Sequence, residues 1–194
     1  MIYFTSDLHF NHDKDFIYKP RGFDNVSEMN ETILKNFKET ISPEDDLYIL
    51  GDIFLGELEP GLELFKQLPG KIHIVWGNHD TNNRQKEIVK CSNVVEVIGY
   101  AGMLKYKKQM FYLSHYPTLT DNYDTDRPLK QRVLCLAGHT HLEEKFDNCG
   151  SYNVAVDAHN CFPVSIDEIL EDFKINYNLY MADKRDYFYN KDEN

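Results

Sequence analysis

The sequence predicts an α/β chain in which two mixed β-sheets pack face to face with helices outside, an αββα sandwich. Three observations lead there. From Ile2 to Cys91, short β-branched and aromatic runs alternate with amphipathic stretches in the order β-loop-α-β-α-β. From Val94 onward the pattern becomes strand-rich, with tight turns between runs. The 194 residues are 42% hydrophobic and 13% aromatic, enough for a packed core and too apolar for a disordered chain. One domain spanning residues 1–194 is expected at this length.

Each element has its own signal. Ile2 to Ser6 reads as a strand. Phe10 to Asn25 reads as a loop, long enough to suggest a functional role. Ser27 is the expected N-cap of a helix whose apolar face is Met29, Ile33, Leu34, Phe37 and Ile41. Asp46 to Leu50 is a second strand, and Gly61 to Leu68 a short helix stopped by Pro69 and Gly70. Lys71 to Trp76 is a third strand, and Asn82 to Cys91 reads as helical. Val94 to Val97, Ala101 to Tyr106 and Gln109 to Leu113 read as strands, with Lys107-Lys108 at a hairpin tip. Asp121 to Gln131 carries no regular signal. Arg132 to Ala137 and Asn153 to Val156 are further strands. Ser165 opens a capping box with Glu168, starting a helix with Ile166, Ile169, Leu170 and Phe173 inward. The Tyr-rich tail over 176–194 is expected to dock and then fray.

Charge excludes some functions. With 21 Lys+Arg against 32 Asp+Glu, the net charge is -11, which argues against extended nucleic acid as a partner. No apolar run approaches the ~20 residues of a membrane helix, and the N-terminus lacks a signal-peptide pattern. Four cysteines with no C-x-x-C pair suit free thiols in the cytoplasm. Oligomeric state is not readable from the sequence.

Five apolar runs each end in a metal-capable residue. The ends are Asp7-Leu8-His9, Gly51-Asp52, Gly77-Asn78-His79-Asp80, His115 and Gly138-His139-Thr140-His141. In α/β sheets, ligands bind beyond the carboxyl ends of strands. If these ends share one edge, Asp7, His9, Asp52, Asn78, His115, His139 and His141 converge. That set offers oxygen and imidazole donors and no thiolate, which suits Mn, Fe, Co, Ni or Zn rather than Ca. Seven donors exceed one tetrahedral ion and suit two ions sharing a carboxylate. Asp7 and Asp52 are the only carboxylates of the set, so two divalent ions would leave a local anion trap.

In this order and spacing the motifs resemble the signature of the calcineurin-like metallophosphoesterases. His9-Phe10-Asn11-His12 and His115-Tyr116-Pro117 resemble a compact bacterial and phage subgroup of that family. The resemblance implies that Asp7, His9 and His141 hold one metal, that Asn78, His115 and His139 hold the second, and that Asp52 bridges them. His79 would stand at the leaving oxygen, with Asp80 orienting its ring. Manganese is the first choice of metal. The implied reaction is hydrolysis of a phosphomonoester or phosphodiester by in-line attack of a metal-bridging hydroxide, and a chain near the minimum length for this motif set suggests a small, nucleotide-like substrate. The chain departs from many relatives in having Ile53-Phe54-Leu55, without a further acidic residue, after Gly51-Asp52.

Other residues have simpler readings beside the functional one. Asp80 can be a helix N-cap, with Thr81 and Asn82 as rivals. His12 either contacts substrate phosphate or sits solvated in its loop. Arg21 is a candidate phosphate clamp, or simply an exposed arginine. Asn78 can touch substrate as well as metal. His73 and His159 read as structural. The competing function is a catalytically silent scaffold of the same fold that binds a protein partner.

Overall fold

The computed structural model describes residues 1–118, 127–147 and 150–189. The first sheet is built from β1 (Ile2–Thr5), β2 (Asp46–Leu50), β3 (Lys71–Val75), β4 (Val94–Gly99) and β9 (Val164–Ser165), in the order β4-β3-β2-β1-β9. All pairings are parallel except β1 with β9. The second sheet has the order β5-β6-β7-β8, from β5 (Ala101–Tyr106), β6 (Gln109–Ser114), β7 (Val133–Ala137) and β8 (Tyr152–Asn153). The β5–β6 pair is an antiparallel hairpin with Lys107 at φ 53 in its turn; β6–β7 and β7–β8 are parallel.

Alternation sorts the side chains into layers. On β2 and β3, Leu47, Ile49, Ile72 and Ile74 face α2 (Val26–Thr40), α3 (Leu58–Phe65) and α4 (Asn82–Ile88), burying Met29, Ile33, Phe37, Phe65 and Ile88. Phe4, Leu50 and Val75 face the second sheet and meet Phe111, Leu113, Leu134 and Leu136. The last helix, α5 (Ile166–Tyr189), adds Ile166, Ile169 and Phe173 to that inter-sheet core. Two sheets with helices about them match the sequence reading.

Boundaries shifted for local reasons. Asn25, not Ser27, caps α2: its Oδ1 accepts the Glu28 N–H at 3.0 Å, worth about 1 kcal/mol. The α3 helix begins at Leu58, because Pro60 falls in a first turn that needs no donor from it. Gly61 is enforced there, since a Cβ would strike the Phe54 ring. The capping serine of α5 holds, with Glu168 N–H on Ser165 Oγ at 3.2 Å, but the helix runs on to Tyr189 through most of the expected tail. The long loop contains a short helix, α1 (Asp15–Tyr18). The expected strand over 153–156 is only two residues, followed by a 3-10 turn at Val156–His159. Positions 121–126 of the second loop and Cys149 lie outside the described residues. Among the described residues, no helix is long and apolar enough to cross a membrane.

Candidate metal centre

Parallel pairing aligns the strand ends. Because β1, β2 and β3 are parallel neighbours, their carboxyl ends lie on one edge. Beyond it, the two loops after β1 and β2 keep running side by side: Asp7 N–H donates to Gly51 O at 3.0 Å, and His9 N–H to Asp52 O at 3.1 Å. The ends of β6 and β7 are joined in the same way, Gly138 N–H to His115 O at 3.0 Å. Ser6 bridges to Ala155, fastening the two sheets at this end, and Val154 N–H donates to Ala137 O within the second sheet.

Close backbone approach is where glycine is required. A Cβ on Gly77 would strike Asp52 Oδ1, and one on Gly138 would strike Ser6 Oγ and Asp7 Oδ2. The residues that follow the strands bend back toward the centre. Asp7, His9, Asp52, His139 and His141 have φ between 49 and 71, a conformation costing about 1–3 kcal/mol for a residue with a Cβ.

The donor atoms meet in two groups whose members lie within 4.8 Å of one another: Asp7, His9 and His141, and Asp7, Asp52 and His115. His9 Nε2 is 3.7 Å from Asp7 Oδ1 and 3.6 Å from Asp52 Oδ2. His141 Nε2 is 3.6 Å from Asp7 Oδ1. On the other flank, His115 Nε2 is 3.5 Å from Asp52 Oδ2 and 3.0 Å from Asn78 Oδ1. Asp7, His9, Asp52 and His115 form a buried floor, while Asn78, His79, His139 and His141 form the exposed rim. His139 packs edge-on to the rings of His115 and Tyr116 and gives its N–H to Asp7 Oδ2 at 2.8 Å.

The outward nitrogens explain which atoms face inward. His115 Nδ1 donates to Leu50 O at 2.8 Å, leaving its Nε2 as a lone pair in the neutral ring. His141 Nδ1 pairs with Asp157 Oδ2 at 3.2 Å, and His9 Nδ1 with His12 Nδ1 at 3.3 Å. In the neutral rings the inward Nε2 of His115 and His141 thus confronts carboxylate or amide oxygens, also lone-pair atoms, and so does that of His9 when its Nδ1 donates to His12. Asp7 Oδ1 and His9 Nε2 are buried with no hydrogen-bond partner. Stranded acceptors at this spacing need a cation or a proton.

The pKa shifts record the same crowding. Burial works to raise the Asp7 carboxyl, but the imidazoles of His9, His115 and His141 outweigh it and bring it down to about 2. Burial alone would lower His115, yet contact with Asp52 and the charge of Asp7 push it up to about 9. Burial lowers His9, and lowers His12 to about 4 with help from His9 and His79. Asp157, buried but bonded to His141 and Arg21, is held below the ordinary carboxylate range.

A family model described as the calcineurin-like phosphoesterase superfamily domain matches residues 1–156. The chain belongs to that superfamily. It is a hydrolase acting on phosphoester bonds, in a metal-dependent family. Over 178 residues this phosphoesterase is 36% identical to an uncharacterised protein of Methanocaldococcus jannaschii, covering 88% of this chain and 89% of that one. It is 27% identical to the Gene 66 protein of Mycobacterium phage L5 over 160 residues, 72% of this chain and 76% of the relative. A solved structure, a protein of unknown function from Aquifex aeolicus, aligns with a TM-score of 0.66 and 28% identity, covering 88% of this chain and 98% of that one.

The structure gives Arg21, Asp80 and His12 of this phosphoesterase specific partners. Arg21 is not a free phosphate clamp: its side chain is 2% exposed and paired with Asp157. Asp80 does not reach the His79 ring. Its carboxylate accepts the N–H groups of Gly77, Asp52 and Ile53 at 2.8–3.1 Å, tying the β2 and β3 ends together. Nor does it cap α4, where Thr81 stands at the N-cap. His12 leans on His9 Nδ1, so its ring nitrogen serves the floor. His73, between Asp46 and Glu96, and His159, on Asn153 O, are structural as expected.

Two contributors carried no motif. Asp157 comes from a 3-10 turn after β8. Arg84 donates to His79 O at 2.8 Å and Gly56 O at 3.1 Å, and so holds the peptide of His79 from behind. Arg84 lies at the start of α4, four residues after Gly77-Asn78-His79-Asp80, and that proximity is its only signal in the sequence.

Proposed function

We propose that this chain is a dinuclear metal-dependent phosphoesterase for small phosphate monoesters or diesters of nucleotide-like size. The observation that carries the reading is the position of Asp52 Oδ2, 3.6 Å from His9 Nε2 on one flank and 3.5 Å from His115 Nε2 on the other. One carboxylate oxygen between two lone-pair clusters is the arrangement of a bridging ligand. Asp7, His9 and His141 would hold one ion with Asp52; Asn78, His115 and His139 would hold the second. Manganese leads the candidates, with Fe, Zn, Ni and Co also compatible with oxygen and imidazole donors. Bound divalent ions would acidify a water and neutralise charge on the phosphoryl oxygens.

The chain's own residues do the rest. His79 stands on the rim with its ring 44% exposed and Nε2 3.9 Å from Asp52 Oδ2. Its N–H on Asp52 Oδ1 and its carbonyl under Arg84 keep it there. From that position the ring can hold a proton for the leaving oxygen. Asp80 acts through the backbone, keeping Asp52 and the Asn78 loop in register. The exposed rim admits a small substrate directly. Unpaired, buried thiols at Cys91, Cys135 and Cys161 support a reducing, cytoplasmic setting.

The test is Mn-supported turnover of p-nitrophenyl phosphate and bis-p-nitrophenyl phosphate. Hydrolysis of either that disappears on chelation is expected. Stoichiometric metal binding without turnover of either would favour the protein-binding scaffold.

A further inference from the structure

Arg21 and Asp157, 136 positions apart, form a two-point pair: Nε donates to Oδ1 at 2.9 Å and Nη2 to Oδ2 at 2.8 Å. The remaining Arg21 donors are also taken. Nη1 reaches Leu8 O at 3.3 Å and Met29 Sδ at 3.4 Å, and Nη2 also reaches Asp7 O at 2.8 Å. All five guanidinium N–H groups are therefore used. The side chains are 2% and 9% exposed. A buried ion pair is a poor source of stability compared with apolar packing, so this one asks for another role.

Its contacts supply that role. Asp7 and His141 both sit in left-handed backbone, at φ 53 and 51, and each must be held there. Arg21 grips the carbonyl of Asp7, while Asp157 Oδ2 grips His141 Nδ1 at 3.2 Å. The geometry points to Arg21 and Asp157 as a positioning pair for one flank of the metal centre, Asp157 keeping the His141 proton on Nδ1 and its Nε2 lone pair turned toward Asp7. The inference rests on the metal reading above. A carboxylate behind a ligating histidine fixes the tautomer and raises the basicity of the inward nitrogen; losing it typically weakens metal binding about 10–100-fold.

The test is a Mn²⁺ titration by calorimetry of the full chain, comparing wild type, Asp157→Asn and His115→Ala. An amide at position 157 offers one oxygen: in the Oδ1 place it strips the acceptor from both Arg21 Nη2 and His141 Nδ1, and in the Oδ2 place it strips Arg21 Nε and breaks the fork. A cavity of about 350 Å³ beside Asp157, lined by Phe23, Glu143 and Asn160, gives room for local adjustment. Asp157→Asn is expected to weaken one class of Mn²⁺ sites about 10–100-fold and leave the other within about twofold. Arg21→Lys, which keeps the charge and loses the fork, is expected to weaken the same class. If Asp157→Asn changes neither class while His115→Ala does, the positioning role is wrong and the metal reading stands. If neither variant alters Mn²⁺ binding, the metal reading falls and this inference with it. Nitrogen-15 spectra of the zinc-loaded wild-type protein need no variant. A protonated Nδ1 with metal on Nε2 of His141 supports the assignment, and the reverse overturns it.

Discussion

The two flanks of the centre solve one problem by different means. Each must turn histidine Nε2 atoms inward by engaging Nδ1 behind. On the His115 flank the partner is main chain, Leu50 O, within the β2 end that Asp80 ties to β3. On the His9 and His141 flank the partners are side chains, His12 and Asp157. A carbonyl in a parallel sheet cannot be mutated away, whereas a side-chain partner can. The first flank is therefore set by the fold, and the second can be tuned by substitution.

The comparison can be broken most severely at the residue both flanks share. Asp52→Asn is expected to lower kcat/KM about a thousandfold, roughly 4 kcal/mol of barrier, and to weaken metal on both flanks. A loss confined to one flank in the titration would contradict a bridging role. His79→Ala should leave both flanks loaded and still lower kcat about a hundredfold. The drop should be larger for an alkyl leaving group than for p-nitrophenolate, which needs no proton; equal losses for both would remove His79 from the leaving oxygen.

Protons separate the flanks next. In the metal-free protein His115 keeps its proton up to about pH 9, raised by Asp52 and Asp7. A metal ion must displace that proton, so apparent affinity on this flank should climb about tenfold per pH unit from pH 7 toward 9 and then level. Because the folded value is raised, the sign for metal-free stability is opposite. The contribution is fully present below the unfolded value of 6.5 and is lost as pH rises through 9. Calorimetry at several pH values checks the first statement and thermal unfolding of metal-free protein the second.

Smaller effects sharpen the contrast. Gly77→Ala drives a methyl into Asp52, and Gly138→Ala drives one into Ser6 and Asp7. Each should cost about 1–3 kcal/mol of stability; Gly77→Ala should weaken metal on both flanks through Asp52, and Gly138→Ala first on the Asp7 flank. Urea unfolding and Mn²⁺ titration of both variants test this. The smallest effect belongs to His12→Ala. Water can replace its ring behind His9, so a loss of only a few-fold in kcat/KM is expected; a hundredfold loss would mean that His12 meets the substrate.

Much of this was legible because it depends on neighbours in the chain. The glycines before Asp52, Asn78 and His139 mark the turns, and alternation in Leu47 to Leu50 or Ile72 to Val75 marks the buried strands. Asn25 was overlooked as the α2 cap because Asn25 and Ser27 are equally good capping chemistry, and only the helix start chooses between them. The family resemblance implied that Asp80 orients the His79 ring, yet its oxygens sit under the N–H groups of Gly77 in its own loop and of Asp52 and Ile53 in another.

The sequence by itself determined the candidate donors, their order and the strand ends that carry them, since each is written in local periodicity and in residue type. It also settled the family. Only the tertiary structure decided which nitrogen of each histidine faces inward, because that depends on what stands behind the ring. It alone turned Arg21 from an apparent surface cation into a buried partner of Asp157. The Arg21–Asp157 contact joins residues 136 positions apart, and no local pattern encodes which long-range partner a charged side chain will meet once the two sheets close.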